Sequence, residues 1–184
     1  MKATKQLKAE HEGIKLMLGV VGNICWKIEE GQKPVVRDLE QIVEFLQVFA
    51  DKCHHGKEED ILFPALIEAG MPKDSGPIAV MLAEHEQGRG FIRGLADAVR
   101  RYGAGEAAAG AAISKNARAY IALLALHIQK ENEVLFPMAD ERLGAQKQDE
   151  LLERFERLEV ERIGAGKHEE FHRLLERLEK DYLG

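Results

Sequence analysis

The chain has 184 residues, enough for one domain with a substantial core. Hydrophobic residues make up 45% and charged residues 32%, and a formal net charge of −6 gives no reason to expect nucleic acid or an anionic membrane as partner. No apolar run approaches the ~20 residues of a bilayer span, and the polar stretch from Met1 to Glu10 shows no secretory signal, so the cytoplasm is the expected compartment.

Thr4 to about Glu30 reads as a first helix, because Leu7, His11, Ile14, Leu18, Val21 and Cys25 recur at helical spacing. Gly31 and Pro34 end it. From about Val35 to Ala69 a second apolar stripe runs through Leu39, Ile42, Val43, Leu46, Phe49, Ala50 and Cys53, with Pro64 near its end. Gly70 to Pro77 is the clearest loop. A third helix is expected from about Ile78 to Tyr102, where Gly88, Gly90 and Gly94 weaken it or admit a close neighbour. A fourth follows from about Glu106 to Leu143, with Pro137 near its end. Residues 145–184 are dense in Glu and Arg and carry one apolar stripe divided at Gly164-Ala165-Gly166. They read as two amphipathic helices packed on the bundle or on a partner chain, a homodimer being one expected arrangement. No strand alternation is convincing. The fold expected is all-α: an up-and-down four-helix bundle over residues 1–144 with a C-terminal helical extension over 145–184.

The chain also repeats itself. His54-His55-Gly56-Lys57-Glu58-Glu59-Asp60-Ile61-Leu62-Phe63-Pro64 returns 73 positions later as His127-Ile128-Gln129-Lys130-Glu131-Asn132-Glu133-Val134-Leu135-Phe136-Pro137. Glu10-His11-Glu12 in the first helix is echoed by Glu84-His85-Glu86 in the third. Helical residues four apart share a face, so each long copy presents an imidazole beside a carboxylate. A duplicated hairpin folded up-and-down brings matching residues toward an approximate two-fold axis. Four histidines (His11, His54, His85, His127) and two glutamates (Glu58, Glu131) then converge from four helices, as in di-metal carboxylate bundles. Without a metal, so dense a buried polar cluster would be unexplained. Imidazole and carboxylate without thiolate suit iron or manganese and do not exclude zinc.

The order His, His-x-x-x-Glu, His, His-x-x-x-Glu, with Leu-Phe-Pro after each pair, resembles the hemerythrin-like proteins of the HHE cation-binding class over roughly residues 4–143. The resemblance implies a bundle holding two non-haem iron ions with an oxo or hydroxo bridge. By position, His11, His54, His85 and His127 would be terminal ligands, and Glu58 and Glu131 the bridges. It implies binding or sensing of O2, NO or peroxide, or an iron-linked stress response; the alternative is a di-iron enzyme that decomposes peroxide or reduces NO. The family's oxygen carriers have His-x-x-x-His on the third helix, where this chain has His85 and Arg89. The substitute ligand could be His55, an outer carboxylate, a C-terminal residue or water.

Other candidates have plainer readings. His55 also has a glutamate four residues on, but Glu59 aligns with Asn132, so His55 reads as an outer or capping group. His168-x-x-x-His172 has metal-compatible spacing among charged neighbours, which points to a solvated face. It would add a ligand if the last helix folded over the site. Glu12 and Glu86 read as rim groups and Tyr120 as a core residue. Cys25 and Cys53 read as reduced packing residues, since helical neighbours point about 100° apart and Cys53 would face away from His54.

Overall fold

A computed structural model describes residues 2–184; Met1 of the expected first domain lies outside the described residues. Among them there is no strand. Helix α1 is Ala3–Glu29. The second rod is α2 (Val36–Phe45), two π-helical segments (Leu46–His55 and Glu58–Leu62) and α3 (Phe63–Glu68). The third is α4 (Gly76–Gly103). The fourth is α5 (Ala109–Lys130), a π-helical segment (Glu131–Leu135) and α6 (Phe136–Arg142). Two amphipathic helices follow, α7 (Ala145–Arg162) and α8 (Lys167–Tyr182). The fold is the all-α bundle with C-terminal amphipathic helices that the repeat pattern predicts.

The π-helical segments have a local cause. Pro64 and Pro137 each lie two residues beyond one. A proline lacks the N–H that would bond the carbonyl four residues back, and its ring crowds that carbonyl. The ladder upstream shifts from i→i+4 to i→i+5 pairing, a geometry that recurs at functional sites. The freed Asp60 carbonyl accepts from Arg154 Nη2 at 3.2 Å. The longer π segment, Leu46–His55, has no counterpart in the second copy, where 119–128 is ordinary α-helix.

The rods pack in a ring in which α1 meets α5, α5 meets α4, and α4 meets α2. Gly88 brings α4 close to α5: a Cβ there would sit 3.4 Å from Tyr120 Cε2. The corresponding seam, between α1 and the second rod, is joined directly at the π segment Leu46–His55, where Glu10 bonds His54. α7 and α8 wedge into it, so the extension breaks the two-fold symmetry of the duplication. Their apolar faces are buried within the chain: Leu151, Phe155 and Leu158 pack with Leu7, Ile61 and Phe136, and Phe171, Leu175 and Leu178 with Ile14, Phe45 and Phe49. Gln148 of α7 also accepts from the Ala3 backbone N–H at 2.8 Å, one of the first-turn donors that a helix cannot satisfy itself. Gly164 and Gly166 turn the chain between α7 and α8 with φ of 85° and 83°, a region L-side chains rarely adopt. No helix among the described residues is long and apolar enough to cross a membrane.

Candidate metal centre

Seven ionisable side chains meet in the middle of the bundle, each at most 3% exposed: His11, His54, His55, Glu58, His85, His127 and Glu131. Their ligand atoms form two compact groups. One is His55, Glu58, His85 and His127; the other is His11, His54, Glu58 and Glu131. Glu58 belongs to both. Glu131 also reaches both ways, with Oε1 3.2 Å from His127 Nε2 and Oε2 3.1 Å from His11 Nε2. His54 Nε2 lies 3.6 Å from Glu58 Oε1, and His85 Nε2 lies 3.4 Å from Glu58 Oε2.

The sequence reading of His55 as an outer or capping group is corrected here. The π-helical turn narrows the angle between successive side chains, so His54 and His55 both point inward. The His55 ring stacks on that of His85 at 3.9 Å between centroids. The equivalent position in the second copy, Ile128, packs into the hydrophobic core. Arg89 binds outward, with Nε 2.9 Å from Asp51 Oδ1 and Nη2 2.7 Å from Glu59 Oε1.

All five rings are oriented from behind through Nδ1. The partners are Asn132 for His11 (2.9 Å), Glu10 for His54 (2.8 Å), Asp51 for His55 (3.3 Å), Glu59 for His85 (2.7 Å) and Glu84 for His127 (2.9 Å). The pattern obeys the duplication, since Glu10 matches Glu84 and Glu59 matches Asn132. The four outer carboxylates are held by three cations. Lys57 Nζ lies 2.6 Å from Glu10 Oε1, Lys130 binds Glu84, and Arg89 spans Glu59 and Asp51. Sequence reasoning missed these orienting groups. Their signal was present in the repeat, as the acid before His11 and His85 and the lysine before Glu58 and Glu131.

The Nε2 atoms of His85 and His127 are hydrogen-bonded to each other at 3.1 Å, but six other inner atoms have no partner. Both oxygens of Glu58, both of Glu131, and Nε2 of His11 and His55 are buried without a hydrogen bond. Burial, and then the charge of Glu131, pushes the Glu58 carboxyl well above its ordinary range. Glu131 is buried too, but the His11 and His127 imidazoles, 3.1 and 3.2 Å from its oxygens, hold it well below that range. Burial pushes His54 down to about 4 and drives His55 well below its usual value, so both are neutral near pH 7. Neutral imidazoles with a fixed rear N–H and a free forward nitrogen are ligands in their binding form. Two facing carboxylates without a cation between them are the feature that bound metal would resolve. The donor set therefore fits metal ions in both groups.

Other candidates lie elsewhere. Glu12 and Glu86 are exposed and pair with Lys15 and Arg93. Tyr120 sits in the core with its hydroxyl unpartnered. Cys25 and Cys53 are buried free thiols, Cys53 pushed up to about 12 by burial, and neither joins a ligand group. His168 and His172 face Glu159 and each other outside both groups.

A family model described as the hemerythrin HHE cation binding domain matches residues 2–139. Uncharacterized proteins of Mycobacterium bovis and of two strains of Mycobacterium tuberculosis are each 24% identical over 154 residues, 84% of this chain. The chain spans 60% of the length of these curated relatives. No solved structure matches it significantly.

Proposed function

The chain belongs to the hemerythrin HHE cation-binding domain family, and from that premise we propose that it holds a non-haem di-iron centre that binds O2, NO or peroxide in a sensing or stress-response role. The observation that supports this most is the set of five imidazoles, each turned by a partner on Nδ1, around two carboxylates whose oxygens lack hydrogen bonds. His55, His85 and His127 would hold one ion and His11 and His54 the other, with Glu58 and Glu131 between them. The first ion thus has one more protein ligand than the second. His55 supplies the fifth nitrogen from the second rod, in place of a histidine at position 89. A di-iron pair supplies reversible binding or reduction of small oxygen and nitrogen species. This chain's residues fix the rings, keep His54 and His55 neutral and exclude bulk water. Residues 1–144 act as the metal-binding unit and residues 145–184 as the cover of its α1 seam.

Burial restricts the exogenous ligand to a very small molecule, since no inner side chain exceeds 3% exposure. The His55 side lies behind Asp51 and Arg89, which line a surface cavity of about 330 Å³. His55 belongs to one ligand group and His11 to the other. His55→Ala is therefore expected to lower iron from two ions per chain to about one. His11→Ala is expected to do the same from the other side. Iron analysis with O2 and NO titration of the reduced protein checks both. Unchanged iron in either variant would remove that histidine from the ligand set, and the absence of any adduct with the loaded wild type would remove the binding role.

A further inference from the structure

The wedge that α7 and α8 drive between α1 and the second rod leaves a cavity of about 640 Å³. Phe45, Phe49 and Phe171 line it along with Glu159, His168 and His172. His168 and His172 are one turn apart on α8, and their Nε2 atoms are 3.0 Å from each other. Two metal–nitrogen bonds of about 2.0–2.1 Å meeting near a right angle place their nitrogens about 3 Å apart. Behind the pair, His168 Nδ1 lies 3.0 Å from Glu159 Oε1, within ion-pair range though not aligned as a hydrogen bond. With its ring turned onto that carboxylate, His168 keeps the proton on the rear nitrogen and leaves Nε2 as a lone pair, the support that ligating histidines receive. Glu159 is itself held, because Lys57 Nζ lies 2.8 Å from its Oε2.

We infer that His168 and His172 form a second metal site, separate from the bundle centre, for one divalent transition-metal ion of the borderline class such as Co2+, Ni2+ or Zn2+. Two imidazoles without a carboxylate in the set select that class over Mg2+ or Ca2+, which take oxygen ligands. The remaining coordination positions open onto the cavity, where water or a small donor completes them. The site is bonded to the bundle interior. From Glu159 the line runs through Lys57 to Glu10 Oε1 at 2.6 Å, and from Glu10 Oε2 to His54 Nδ1 at 2.8 Å. This inference does not require the centre to be loaded.

Co2+ titration of the full chain, followed by calorimetry and visible absorption, tests it. The Glu58→Gln variant provides a background in which the centre is disabled, and wild-type protein is titrated after its resident metal has been measured. One Co2+ per chain beyond the centre is expected in both. The same ion is expected to be absent after His168→Ala with His172→Ala, while metal already resident in the wild-type centre is retained. Glu159→Gln is expected to keep the stoichiometry and weaken binding roughly tenfold. His172 is exposed, so His172→Gln tests the site without disturbing packing, with a loss of affinity also expected. An unchanged equivalent in the double variant, or no extra equivalent in wild type and Glu58→Gln alike, overturns the inference.

Discussion

Glu58→Gln is expected to abolish metal binding at the bundle centre and, at the same time, to stabilise the metal-free protein. Glu58 is the one carboxylate present in both ligand groups, so its loss disables both halves of the centre. In the metal-free chain its oxygens are buried without partners, and burial with the Glu131 charge raises its pKa well above the ordinary value. The folded state therefore binds a proton that the unfolded chain releases. Stability from this group is full below the ordinary carboxyl range and falls as pH rises above it. A neutral amide of the same shape carries no such penalty. Each pH unit above the ordinary carboxyl value costs the wild type about 1.4 kcal/mol until the raised value is reached, and the amide is free of that cost. Denaturant melts of metal-free wild type and variant at pH 5 and pH 8 check this; the difference is expected to be larger at pH 8. Metal analysis checks the loss of binding. A variant that keeps its metal, or that melts earlier than the metal-free wild type, contradicts the account.

Glu10→Ala and Glu84→Ala are symmetry-related changes with unequal expected costs. Both glutamates orient a histidine through Nδ1 and pair with a lysine. Lys57 is fully buried under α7, whereas the Lys130 side chain is 41% exposed. Burial pulls the Lys57 ammonium down, but Glu10 holds it above its usual value, so it stays charged. Removing Glu10 takes one of two carboxylates from that buried charge, leaving Glu159 Oε2 at 2.8 Å, and is expected to cost about 2–3 kcal/mol, a large part of the ~5–15 kcal/mol that holds a domain together. Removing Glu84 lets Lys130 return to water, and about 1–2 kcal/mol covers the lost bond to His127. Metal affinity is expected to fall about 10–100-fold in both. Equal destabilisation would mean that the C-terminal cover does not isolate Lys57. The Glu10 contribution also has a pH window. Burial raises its pKa, but His54 and Lys57 lower it further, so this stabilisation is complete above the ordinary carboxyl value and is lost as pH falls through the folded one.

The repeat made much of the molecule legible. Two copies of His-x-x-x-Glu followed by Leu-Phe-Pro placed His54, Glu58, His127 and Glu131 on facing helices, and the Glu-His-Glu echo added His11 and His85. Periodicity gave the four rods and the two amphipathic helices to within a few residues. His55 was not legible, because its inward direction depends on a π-helical register that no 100° wheel contains. The alignment also counted against it, since Ile128 holds the matching position as a core residue. Glu10 and Glu84 were visible as repeated acids, but their orienting role depends on helix rotation and on which histidine lies opposite. The extension showed an apolar stripe that did not say which seam it fills. That choice buries Lys57, opens the cavity at His168 and makes the two halves unequal.

Anomalous X-ray scattering at the iron edge from crystals of the iron-loaded chain tests the central claim most directly. Two peaks within about 4 Å of each other are predicted, both in contact with Glu58, with His55, His85 and His127 on one and His11 and His54 on the other. A single peak, or two peaks with Glu58 touching neither, would contradict it.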